Sequence, residues 1–102
     1  MKAHFLPAAE AELLKQVAYY SIAREGFGVK FRAAIMLAVE MAAANPESGA
    51  ASHKGTRRRI VKGFPFSVVY RPSDTELLIV AIAPNRRKPQ ILGRSPCLTA
   101  NP

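Results

Sequence analysis

The hydrophobic residues of this chain follow a helical period in its first half and a strand-like period in its second half. Within residues 8–23, Leu13, Val17 and Tyr20 recur at i, i+4 and i+7, which is the spacing of one helix face. Pro7 suits the first turn of that helix, because the N–H that proline lacks would have no partner there. We therefore predict a short strand over residues 2–6 and a helix over residues 8–23.

A second helix is predicted over residues 29–44. Phe31 and Ile35 lie on its apolar face, and Leu37 and Met41 widen that face sideways. Gly26 is expected to end the first helix in a left-handed conformation. Because the connection between the two helices is short, they should form an antiparallel hairpin.

A period of two begins after a polar loop at residues 47–55. It predicts three strands, over residues 56–62, 64–71 and 76–83. The last of these, ELLIVAIA, is apolar on both faces, as is typical of a central strand.

This order of elements predicts an α+β fold. An N-terminal strand and an antiparallel helical hairpin pack on an antiparallel sheet, which a three-strand meander completes (β-α-α-β-β-β). We expect a single domain over residues 1–94 and an irregular tail over residues 95–102.

The same two halves of the chain also differ in net charge. Residues 1–52 contain five basic and five acidic side chains, whereas residues 53–102 contain ten basic and two acidic ones, so the second half carries the whole net charge of +8. Arg57-Arg58-Arg59 lies in the first meander strand, and Arg86-Arg87-Lys88 follows the last one. This asymmetry indicates a half that meets an anion, either a nucleic acid or an acidic protein.

Composition excludes several classes of protein. The longest apolar stretch, residues 33–39, is far shorter than the roughly 20 residues that span a bilayer, and the N-terminus lacks the apolar run of a signal peptide. Cys97 is the only cysteine, and His4 and His53 stand alone. We therefore expect a cytoplasmic protein that uses no metal and no cofactor.

Several motifs then occur in a recognisable order: Glu12-Leu13 and Tyr19-Tyr20, a Gly-x-Gly turn at Gly26 and Gly28 followed by Phe31, Asn45-Pro46, Arg57-Arg58 with Val61, FPFSVVY at residues 64–70, and Arg86-Arg87-x-Pro89. In this combination they resemble the RelE/ParE superfamily of toxins from bacterial type II toxin–antitoxin modules, also known as the plasmid stabilisation family. The resemblance covers residues 1–94.

The resemblance implies a helical hairpin on an antiparallel sheet and one of two activities. RelE-type members cut mRNA in the ribosomal A site without a metal, whereas ParE-type members poison DNA gyrase. Both types are neutralised by a small acidic antitoxin. The expected partners are therefore a cognate antitoxin, in a toxin–antitoxin hetero-oligomer, and either gyrase or the ribosome with its mRNA as the target.

The two activities differ in whether they need side chains that accept and donate protons. Metal-free RNA cleavage needs a base and an acid beside its cations, and nucleases that this chain resembles commonly have a His before the Arg-Arg pair and a Tyr in the tail. Here Pro84 and Ile91 stand at those positions. The first hypothesis is therefore a ParE-like toxin that binds gyrase. An mRNA endoribonuclease and a non-toxic or decayed nucleic-acid-binding module are the alternatives, so enzymatic activity stays open.

The candidate residues fall into three groups. If the chain is a nuclease, its catalytic candidates are Arg59, Lys62, Arg86 and Tyr70. Binding of the target or another anion is predicted for Arg57, Arg58, Arg59, Lys62, Arg71, Arg86, Arg87 and Lys88. Binding of the antitoxin is predicted for Leu37, Met41, Arg57, Arg59 and Arg86. Plainer alternatives exist: the three consecutive arginines could protect a strand edge, Arg71 could cap Asp74, and Tyr70 and Leu37 could pack in the core.

Overall fold

The computed structural model describes residues 1–85 of the 102-residue chain. Its elements are β1 (Lys2–Phe5), α1 (Pro7–Ala23), α2 (Phe27–Ala44), β2 (Ala50–Ala51), β3 (Arg57–Ile60), β4 (Phe66–Pro72) and β5 (Glu76–Pro84), with 3-10 turns at Pro46–Ser48 and His53–Gly55. The predicted order is confirmed. The two-residue strand β2 is an addition within the segment that we predicted as a loop.

Two glycines shape the helical hairpin. Gly26 has φ +81°, as predicted, but it directly precedes α2 and does not cap α1. The last turn of α1 is closed instead by Arg24, whose N–H donates to the carbonyl of Tyr20 (3.1 Å). Gly28 lets the helices approach closely, because a Cβ at this position would lie 2.7 Å from the carbonyl oxygen of Val17 in α1.

The five strands form one mixed sheet in the order β1-β5-β4-β3-β2. The antiparallel meander β3-β4-β5 is confirmed. The prediction of a purely antiparallel sheet is wrong, because β1 pairs with β5 in parallel. These two strands are joined through the hairpin and the rest of the sheet, so no tight turn forces them to run in opposite directions.

Both helices pack on one face of the sheet, and the core lies between these two layers. Val68 and Tyr70 of β4, Leu77 and Ile79 of β5, and Phe31 of α2 are fully buried there. Each such side chain contributes roughly 1.5–3 kcal/mol through the removal of apolar surface from water.

An aromatic cluster fastens the hairpin to the start of β4. The ring of Phe31 lies 5.0 Å from Tyr20, 5.1 Å from Phe64 and 5.5 Å from Phe66, measured between centroids. Tilted and edge-to-face contacts of this kind add to the stabilisation from burial. Phe64 and Phe66 of the FPF segment therefore pack with the core, whereas Pro65 between them is exposed.

The opposite face of the sheet, which we call the open face, has no helix on it within residues 1–85. Strand alternation places Val69 and Arg71 of β4 there, beside Arg58 of β3 and Leu78 of β5. One extra residue in β5, at the register shift between Val69 and Tyr70, keeps Ile79 and Ile82 directed into the core on either side of it.

Candidate functional site

The three consecutive arginines of β3 are divided between the two faces of the sheet. Arg57 pairs with Tyr70 and Arg59 pairs with Val68, so both lie on the side of the helices. Arg58 pairs with Val69 and lies on the open face. All three side chains are half-buried.

The two arginines on the helix side hold the loop that follows α2, which we call the 46–49 loop. Arg57 Nη1 donates to the carbonyls of Gly49 (2.8 Å) and Glu47 (3.3 Å). Arg59 Nη2 donates to Ser48 Oγ. Because charge-assisted hydrogen bonds are the stronger class, these arginines fix the loop against the edge of the sheet.

Tyr70 holds the same loop from inside the protein. Its hydroxyl donates to the carbonyl of Pro46 (2.9 Å) and accepts the N–H of Gly49 (3.1 Å), and the residue is 0% exposed. Gly49 has no space for a side chain, because a Cβ there would collide with the Tyr70 hydroxyl. The phenol is therefore fully used in structure and has no access to a substrate.

An apolar groove lies between α2 and β3, with a volume of about 360 Å³. We call it the α2–β3 groove, and its walls are Ala34, Leu37, Ala38, Met41, Arg59, Ile60 and Lys62. Three of its aliphatic side chains are unusually open to solvent: Leu37 is 52%, Met41 48% and Ile60 70% exposed. Groups of exposed apolar side chains of this kind commonly mark sites of protein association.

The groove combines an apolar surface with two cations, Arg59 and Lys62. Among its lining residues there is no carboxylate, histidine or phenol. In residues 1–85, no three His, Cys, Asp or Glu side chains come together in a group that could hold a metal ion. The chemistry available at this site is apolar contact together with attraction of an anion.

The structure brings four of the sequence-predicted residues together. Leu37, Met41, Arg59 and Lys62 all line the α2–β3 groove, whereas Arg57 of β3 does not line it and donates to the 46–49 loop. Arg58 and Arg71 lie on the open face, so the anion-binding set does not form a single cluster. Arg86, Arg87 and Lys88 lie outside the described residues.

Arg71 forms no ion pair with Asp74 within residues 1–85, where the turn between β4 and β5 is closed by Ser73. The Ser73 hydroxyl donates to the carbonyl of Glu76 (2.7 Å). Arg71 is exposed.

Sequence reasoning missed the polar contribution of the 46–49 loop and the aliphatic part of the groove that comes from β3. Ser48 was counted as part of a featureless loop. Ile60 carried a usable signal, because it is an apolar residue directly after three arginines at the end of an otherwise charged strand.

The family model of the ParE toxin of the type II toxin–antitoxin system parDE matches residues 3–89. Among solved structures, a chain of the chromosomal ParDE toxin–antitoxin system from P. aeruginosa is similar in fold, with a TM-score of 0.64 and 24% sequence identity. That match covers 84% of this chain and 97% of the other. A search of curated proteins gives no match.

Proposed function

The chain belongs to the ParE toxin family of type II toxin–antitoxin systems, and from that membership we propose that it arrests growth by binding DNA gyrase. On this proposal the toxin acts by occupying its target and catalyses no reaction. A cognate antitoxin neutralises it by binding the α2–β3 groove.

The observation that supports the proposal most directly is that the Tyr70 hydroxyl is already hydrogen-bonded to the 46–49 loop. RNA cleavage without a metal needs a group that moves a proton next to the cations. The only phenol among the nuclease candidates is buried, and two backbone groups of the 46–49 loop occupy its hydroxyl. The cations of the groove, Arg59 and Lys62, have no acid or base among the lining residues.

A supercoiling assay with purified gyrase tests the target. We expect the wild-type protein to inhibit supercoiling and to leave ribosome-bound mRNA intact in a translating extract. Cuts at defined codons, abolished by Arg59→Ala and Lys62→Ala, would instead establish the endoribonuclease alternative. Absence of both effects, with no growth arrest on expression, would indicate a decayed module.

The composition of the groove supports its assignment to the antitoxin. Leu37 and Met41 offer exposed aliphatic surface on one wall, and Arg59 and Lys62 add positive charge. An amphipathic helix with an acidic flank has the matching chemistry, because its apolar face can enter the groove while its carboxylates meet the cations.

A charge introduced into the groove tests this assignment. We expect Leu37→Glu to weaken binding of the antitoxin encoded beside the gene by at least about a hundredfold, the size typical of a central apolar contact. Leu14→Glu is the matched control, because Leu14 is 63% exposed on α1 and does not line the groove. Equal affinities of the two variants would refute the assignment.

A further inference from the structure

The three consecutive arginines differ in how far their hydrogen-bonding capacity is used. Arg57 and Arg59 donate to the 46–49 loop, as described above. The Arg58 side chain makes no hydrogen bond to any of residues 1–85, and its Nε is buried without a partner, as is the Nε of Arg59. Of the five N–H donors of a guanidinium, the four on the terminal Nη atoms of Arg58 therefore remain for an anionic group.

A second unpaired cation lies next to Arg58 on the open face. Arg58 stands opposite Val69, and Arg71 is two residues further along β4 on the same face. Diagonal neighbours of this kind lie roughly 7–8 Å apart across a sheet. Arg71 is exposed and has no ion pair within the described part of the chain.

The surroundings of these two arginines are aliphatic. Val69, Leu78 and Ala83 lie on the same face and are half-exposed. Within residues 1–85 the carboxylate on this face is Glu76, which lies two residues before Leu78, the register partner of Arg71, and is itself paired in register with Lys2 of β1. With Arg58, Arg71 and Lys2 against this one carboxylate, the open face is positively charged beside its aliphatic residues.

From these observations we infer that the open face around Arg58 and Arg71 is the surface that meets the target, and that it binds an acidic patch of a protein. The inference rests on the proposed function of a toxin that acts by binding. The two binding surfaces adjoin along β3: Leu37, Met41 and Arg59 of the α2–β3 groove lie on the helix side, whereas Arg58 projects from the other side, and Ile60 at the end of the strand borders both.

A protein is favoured over a single-stranded nucleic acid by the absence of stacking surfaces on the open face within residues 1–85. All eight Phe and Tyr residues of the chain lie within residues 1–85, and strand alternation and the helices place none of them on the open face. Single-stranded nucleic acids are typically bound by aromatic side chains on which the bases stack. Arginines beside aliphatic side chains are instead typical of protein–protein interfaces.

Charge reversal on the open face tests the inference. In the full-length protein, Arg58→Glu with Arg71→Glu should abolish growth arrest and raise the concentration needed for half-inhibition of gyrase by at least about tenfold, since two charge-assisted contacts become repulsive. The matched control is Lys15→Glu with Arg32→Glu, which makes the same change in net charge at exposed positions of α1 and α2. This control should inhibit like wild type.

Each other outcome has a defined meaning. Equal inhibition by the two double variants, or equal loss in both, would overturn the inference while leaving the proposed function in place. A wild-type protein that inhibits neither growth nor gyrase would overturn the proposed function itself. Binding of a random DNA duplex at about 0.15 M salt that is lost only in the Arg58/Arg71 variant would identify a nucleic acid as the occupant and would also overturn the inference.

Folding is checked by circular dichroism. If the double Glu variant melts more than a few degrees below wild type, Arg58→Gln with Arg71→Gln replaces it, because glutamine removes the charges without adding repulsion. The same loss of gyrase inhibition is expected, and retained inhibition by a folded Gln variant would contradict the assignment.

Discussion

The two faces of the sheet share the same strands but have different physical roles. The face under the helices contains fully buried side chains such as Val68 and Ile79, the aromatic cluster and two arginines that are hydrogen-bonded to the 46–49 loop. The open face contains half-exposed aliphatic residues together with Arg58 and Arg71, which have no ion pair within residues 1–85. One face maintains the fold, and the other is the surface that we propose for target binding.

The difference shows that adjacent residues of identical type can have unrelated functions. Arg57, Arg58 and Arg59 have the same charge, but a strand turns successive side chains to opposite faces. On the helix side, Arg57 donates to backbone carbonyls and Arg59 donates to a hydroxyl of the 46–49 loop. The Arg58 side chain has no such acceptor within residues 1–85. A basic run on a strand is therefore best divided by face before any binding role is assigned.

The largest expected effect comes from the helix-side core. Phe31→Ala should lower the free energy of unfolding by about 3–5 kcal/mol, because it removes a buried ring and leaves a cavity among Tyr20, Phe64 and Phe66. Chemical denaturation measures this loss. Val69→Ala on the open face is the comparison, with an expected loss of about 1 kcal/mol or less. Equal losses would contradict the division between the two faces.

The next effect concerns the buried phenol. Tyr70→Phe should cost about 1–3 kcal/mol of stability, because the N–H of Gly49 and the carbonyl of Pro46 lose their common partner. Tyr19→Phe is the control, since Tyr19 is exposed and its hydroxyl is not among these contacts. If Tyr70→Phe were as stable as wild type, the hydroxyl would not be holding the 46–49 loop.

A smaller effect separates the neighbouring arginines. Arg57→Ala should destabilise the protein by about 1 kcal/mol, because two carbonyls of the 46–49 loop lose a charged donor. Arg58→Ala should stay within about 0.5 kcal/mol of wild type, as is usual for side chains without such contacts. Thermal melts of the two variants side by side provide the test, and the reverse order of stabilities would refute the assignment of roles.

The smallest expected effect is on the pH dependence of the free energy of unfolding. Burial, with a further contribution from Tyr19, raises the pKa of Tyr20 above its ordinary value. Because the folded pKa exceeds the unfolded value of about 10, the stabilisation is complete below that pH and is lost as the pH rises through the folded pKa. Unfolding free energies measured on either side of about pH 10 should therefore fall more steeply for wild type than for Tyr20→Phe, and parallel curves would contradict this.

Much of the fold could be predicted from local pattern. The two helices, the meander β3-β4-β5 and the left-handed Gly26 follow from spacing, alternation and the conformational freedom of glycine. The parallel pairing of β1 with β5 could not be predicted, since it joins strands that are far apart in sequence. The role of Gly26 before α2 was also missed, because a left-handed glycine in a short connection serves either helix equally well.

The candidate site could be predicted only in part. Leu37 and Met41 were identified because they extend the apolar surface of α2 beyond a single helix face. The groove in which they meet Ile60 depends on where α2 crosses β3, which no local pattern specifies. The hydrogen bonds from Arg57 and Arg59 to the 46–49 loop depend likewise on a contact between the edge of the sheet and a loop whose sequence carries no regular period.

The sequence by itself determined the two helices and four of the five strands, the separation of charge between the two halves and the alternation that directs Arg58 away from its neighbours. These properties depend on residues a few positions apart, whose geometry the backbone fixes. The tertiary structure decided which arginines find acceptors within residues 1–85. Whether an arginine is satisfied depends on acceptors supplied by distant segments, and only packing brings Tyr70, the 46–49 loop and β3 into contact.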